Sequence, residues 1–127
     1  MQLVEKPTIR LDLAKVLTEA GRQDDARREY EQILARERDY PAALTGLGAL
    51  RAAMGQPDEA VRLLTRSLQV QAAQADARFN LARVLEQQGK LAEAAAEYER
   101  AADETSGTQE VRTAARERLQ RLRVGRP

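Results

Sequence analysis

The sequence predicts an all-α protein, an α-solenoid of three antiparallel helical hairpins plus a capping helix, about seven helices in all. Three observations predict it. The strongest helix formers, Ala, Leu, Glu, Arg and Gln, dominate a chain with only 3% aromatics. A set of residues recurs with a period of 34. A glycine closes each recurrence at the same place.

The first hairpin is expected as helices over 8–20 and 23–37. Pro7 suits a first turn, where a missing amide proton is harmless, and Leu13, Ala14 and Leu17 fall on one helical face. Gly21 supplies the residue that most cheaply takes positive φ at the end of a helix. Asp24 and Asp25 then sit at the positive end of the second helix, and Ala26, Tyr30, Ile33 and Leu34 form its apolar stripe. The second hairpin, over 42–54 and 58–71, repeats this with Pro41, Leu47, Gly48, Gly55, Pro57, Asp58, Glu59, Ala60 and Leu64. The third, over 75–88 and 91–104, repeats it with Leu81, Ala82, Gly89, Ala94 and Tyr98. One hairpin cannot bury both of its stripes alone, so stacking is required. Chance placement of the second and third glycines at the dictated positions would be about a half-percent event at ordinary glycine usage.

The pairs Leu13-Ala14, Leu47-Gly48 and Leu81-Ala82, with the turn glycines and with Ala26-Tyr30, Ala60-Leu64 and Ala94-Tyr98, resemble the tetratricopeptide repeat over residues 7–106. The resemblance implies a right-handed superhelical array whose first-of-pair helices, the A helices, line a concave groove. It divides the chain into a lead over 1–6, repeats over 7–40, 41–74 and 75–107, a capping helix over 108–123 and a tail over 124–127. Departures from the family pattern are local. Arg10, Leu44 and Arg78 replace the large aromatic early in helix A, Arg38, Ala72 and Ser106 replace the proline closing helix B, and Arg51 stands where Leu17 and Leu85 stand elsewhere, which should loosen the middle repeat.

The last helix, over 109–123, carries Val111, Ala115, Leu119 and Leu122 on one stripe and Arg112, Arg116, Arg118, Arg121 and Arg123 elsewhere. A polar back of this kind lets a repeat array end in water. Arg116 falls where the period calls for a small residue, so a local shift of register is expected. The other end has no such helix. Either Leu3 and Val4 fold over it, or it pairs with a second copy, or the chain is a domain of a longer protein, where it would serve as a regulatory module.

Histidine and cysteine are both absent, which removes the usual nucleophile–base pairs and transition-metal ligand sets, so no enzyme activity, metal or cofactor is expected. Asp24 with Asp25, and Glu93 with Glu97 and Glu99, read as solvated helix faces. A net charge of +1, C-terminal arginines interrupted by Glu110 and Glu117, and no interleaved aromatics argue against nucleic acid as a partner. No apolar window approaches the roughly 18 residues of a membrane span, and no signal-like start is present, which favours the cytoplasm.

The expected function is a protein-interaction scaffold that binds a partner peptide or helix, with an acidic partner suited to its cations. By the family's register, the groove wall falls on Thr8, Leu11 and Lys15, then Ala42, Thr45, Ala49 and Ala52, then Asp76, Phe79, Asn80, Arg83 and Glu86. Small side chains in the middle admit close approach of a backbone. Phe79 either meets ligand or packs between repeats, and Lys15 and Arg83 either meet acidic groups or pair with Glu19, Glu86 or Glu117. Some family members clamp a terminal carboxylate with lysines, asparagines and an arginine. The corresponding positions here hold Leu11, Lys15, Gly46, Asp76 and Asn80, which disfavours that ligand.

Overall fold

A computed structural model describes residues 6–125. It has seven helices and no strand among the described residues: α1 (Pro7–Glu19), α2 (Gln23–Arg36), α3 (Pro41–Ala53), α4 (Pro57–Val70), α5 (Ala75–Gln87), α6 (Leu91–Asp103) and α7 (Gln109–Val124). Every helix end lies within one residue of the position expected from sequence. Leu3 and Val4 lie outside the described residues.

The helix ends follow the local chemistry. Pro7, Pro41 and Pro57 are each the first residue of their helix, and Asp24, Asp25, Asp58 and Glu59 occupy first turns. Gly21, Gly55 and Gly89 occupy equivalent corners with φ of 80°, 79° and 80°. At each corner the glycine N–H donates three residues back and the following N–H donates five back, as in Arg22 N to Leu17 O at 2.9 Å. This pair of bonds satisfies carbonyls that the end of the A helix would otherwise leave open.

The chain divides after Val70 into two compact units. In the first, α1 pairs with α2 and α3 with α4, and α3 lies against α2 and touches α1. Leu11, Ala14, Ala26, Tyr30, Ile33, Ala43, Leu47 and Leu50 form its core, edged by Leu17, Leu34, Tyr40, Met54 and Leu63. Two helix-interior glycines admit side chains of neighbouring helices: a Cβ on Gly46 would lie 2.5 Å from Tyr30 Cε1, and one on Gly48 would lie 2.7 Å from Leu64 Cγ. In the second unit α5 pairs with α6, and α7 packs on both. Its buried residues include Ala77, Leu81, Ala82, Val84, Leu85, Ala94, Tyr98, Ala101, Ala115 and Leu119.

Departures from the repeat pattern turn out to be matched across each hairpin. Where the family aromatic is missing, Arg10 reaches Glu29 at 2.9 Å and Arg78 reaches Glu97 at 3.1 Å, both pairs mostly buried. The second hairpin has buried Leu44 at the corresponding position of its A helix and Leu63 at that of its B helix. At Arg51, where looser packing was expected, the guanidinium reaches Glu31 at 3.2 Å and Gln56 at 2.8 Å. Leu13 is a correction. It was expected on the packing stripe beside Ala14, but it is exposed while Ala14 is buried, because α1 turns its Ala14 side toward α2 and α3. In α7 the register shifts as expected, with Ala115 buried and Arg116 exposed.

Candidate functional site

Each unit presents its own candidate surface on its A helices. In the first unit, Thr8 and Lys15 project from the exposed side of α1. No ion pair holds Lys15 among the described residues, so it does not pair with Glu19. Leu11 was expected on this wall, yet it is buried in the unit's core with Ala14 and Ile33. Its place on the helix borders the packing face closely enough for a long apolar side chain to turn inward. Thr45 on α3 is likewise taken up internally. Its Oγ1 lies 2.7 Å from Ser67 Oγ, and Ser67 Oγ donates to Pro41 O at 3.0 Å, so a buried polar pair is satisfied between α3 and α4. Ala42 is exposed and Ala49 and Ala52 are half-buried, which leaves a low wall of methyl groups.

In the second unit, α5 gathers more chemistry. Asp76 is exposed in the first turn, and its Oδ1 accepts from Ala77 N at 2.9 Å, which directs its charge to the positive end of the helix. Phe79 is half-buried with its ring tilted at 59° to that of Tyr98, the centroids 5.6 Å apart. Arg83, one turn along, holds its guanidinium carbon 5.9 Å from the centre of the Phe79 ring. That cation–π contact positions the exposed guanidinium while leaving its N–H groups available for a carboxylate. No carboxylate pairs with Arg83 among the described residues. Asn80 is half-buried beside them.

Glu86 is engaged within the unit. It accepts from the Tyr98 hydroxyl at 2.7 Å and lies 3.5 Å from an Arg118 nitrogen on α7. Burial, with that carboxylate facing the hydroxyl, holds the Tyr98 phenol well above its ordinary range. Sequence reasoning placed Glu86 on a ligand wall and did not foresee this bond. A signal was present, however: Tyr98 and Glu86 are 12 residues apart, and Thr18 precedes Tyr30 by the same spacing. In the second hairpin that spacing joins Leu64 to Ala52, two apolar groups.

Of the expected wall, Thr8, Lys15, Asp76 and Arg83 are therefore exposed, while Ala49, Ala52, Phe79 and Asn80 are half-exposed. Leu11, Thr45 and Glu86 act within the fold. No group of three or more acidic residues among the described residues is arranged to hold a metal ion, and no helix among them is long and apolar enough to cross a membrane.

Family models described as tetratricopeptide repeat match residues 7–50 and 48–108. Curated protein sequences give no match. Among solved structures, the fold is similar to the translocator chaperone SycD of Yersinia enterocolitica, with a TM-score of 0.86 at 24% identity over 94% of this chain and 92% of that one. SycD in complex with a peptide of the translocator YopD gives a TM-score of 0.82 at 24% identity, over 91% of each chain. Yeast Tom70 gives a TM-score of 0.84 at 24% identity, over 95% of this chain and 26% of that longer one.

Proposed function

This chain belongs to the tetratricopeptide repeat family, and from that premise we propose that it is a non-enzymatic adaptor that binds a peptide or helix of a partner protein on the exposed faces of its A helices. One observation carries the proposal: Arg83 stands unpaired by any described carboxylate over the half-exposed ring of Phe79. A cation fixed on an aromatic surface suits a segment that offers an acidic side chain next to an apolar one. Asn80, beside them on α5, would bond that segment's backbone, and in the first unit Thr8, Lys15, Ala49 and Ala52 form a contact surface of their own. The SycD complex with a YopD peptide supports the reading, since a chain of the same fold holds a segment of another protein.

Magnitudes limit the affinity. Covering Phe79 yields about 1.5–3 kcal/mol, and an exposed ion pair adds about 0–1 kcal/mol. A micromolar complex needs about 8 kcal/mol, so short acidic peptides should bind more weakly than that, and a longer segment is required for tight capture. The test is fluorescence anisotropy with an array of acidic-apolar peptides and their charge-inverted counterparts. Acidic peptides should bind in preference, and the Phe79→Ala/Arg83→Ala double variant should lose binding with its far-UV circular dichroism unchanged. Equal binding of both charge classes, or full binding by the double variant, would reject the surface.

A further inference from the structure

The 34-residue period allows each A-helix position to be compared with its counterparts, and one comparison is lopsided. Ala43, Leu47 and Leu50 on α3 are 0%, 5% and 2% exposed. Ala77, Leu81 and Val84 on α5 are 0%, 7% and 2% exposed. The same three positions on α1 hold Ile9, Leu13 and Val16, which are 38%, 43% and 59% exposed. They recur at spacings of four and three, so they form one continuous stripe along the helix. On α3 this stripe is a stacking face, and its residues join the core made with α1 and α2. The α1 stripe is thus a stacking face with the same apolar chemistry and no helix among the described residues upon it.

We propose that this stripe is the contact between two copies of the chain, related by a two-fold axis with their α1 helices antiparallel. Two features select that occupant. The five large hydrophobics exposed among the described residues are these three and the lone Val70 and Val124, so the one apolar stripe that a second copy can offer is the same stripe. Head-to-tail stacking of the stripe on α7 has no apolar face to use, because α7 exposes Arg116, Glu117, Gln120 and Arg121. Three side chains per copy make a small core against a standard interface, so the dimer is weak and depends on concentration.

Sedimentation equilibrium of the full chain, over a concentration range reaching about 1 mM, should show a monomer–dimer equilibrium. Leu13→Glu should weaken that equilibrium more than about tenfold, since it sets two like charges across the two-fold axis. Because Leu13 is exposed, helicity should not change. The natural chain lacks cysteine, so Leu13→Cys reports the geometry directly. It should form a disulfide-linked dimer under mild oxidation, whereas Gln32→Cys, exposed on α2, should not. A chain that stays monomeric throughout the range, a dimer indifferent to Leu13→Glu, or equal cross-linking at positions 13 and 32 would overturn the proposal.

Discussion

Replacing Gly46 with alanine sets helix propensity directly against packing. In an exposed helix the change would stabilise by about 1 kcal/mol, since glycine gives up more backbone entropy. In α3, however, the new methyl would lie 2.5, 2.6 and 2.7 Å from Cε1, Cζ and the hydroxyl oxygen of Tyr30. Carbon atoms rest at about 3.5–4.0 Å, so the ring must withdraw by about 1 Å. Tyr30 is buried among Ile33, Leu47 and Leu50, and a rigid ring cannot swing aside as an aliphatic tip can. Overpacking of this kind costs about 1–3 kcal/mol. The sum after the helix gain is a loss of up to about 2 kcal/mol. Urea unfolding followed by far-UV circular dichroism should show it as a lower midpoint. Repeating the change in a Tyr30→Leu background removes the ring and should make Gly46→Ala neutral or favourable, a coupling that a double-mutant cycle isolates. A midpoint that rises in the parent chain, or a loss of the same size in both backgrounds, would refute the reasoning.

Glu29→Ala or Glu97→Ala should each cost about 1–3 kcal/mol, because Arg10 or Arg78 is left mostly buried without its carboxylate. The double change Arg10→Leu/Glu29→Leu, which copies Leu44 and Leu63, should be neutral or stabilising by about 1–2 kcal/mol in the same unfolding assay. Alkaline pH should unfold the chain through its tyrosines. The phenols of Tyr98 and Tyr30 are raised in the folded state, by burial first and for Tyr98 also by Glu86, so their contribution is complete below the unfolded value near 10. Above that pH it should fall by about 1.4 kcal/mol per pH unit for each such tyrosine, until the folded pKa is reached. Tyr98→Phe should remove its share of this pH dependence, as stability measured across pH 9–11 would show.

Much of the fold could be read from the chain because its determinants are local and repeated. Three prolines, three turn glycines and the acidic first turns each act within a single turn of helix, and the period multiplies a weak signal by three. The candidate surface was harder to read. Helical spacing tells which residues share a face, but not which of two adjoining faces a neighbour will cover. Leu11 and Thr45 were expected to face a ligand and are instead enclosed, while Leu13 was expected inside and is exposed.

The sequence by itself determined the seven helices of the described residues, their ends and their pairing into hairpins, because backbone capping and hydrophobic periodicity depend on residues a few positions apart. Only the tertiary structure decided that Glu86 serves Tyr98 and Arg118, that Arg10 and Arg78 find carboxylates across their hairpins, and that Arg83 stands over Phe79. Those partners are 12 to 32 residues apart for the side-chain bonds, and which groups meet depends on the rotation and approach of packed helices, to which a periodic pattern is nearly blind.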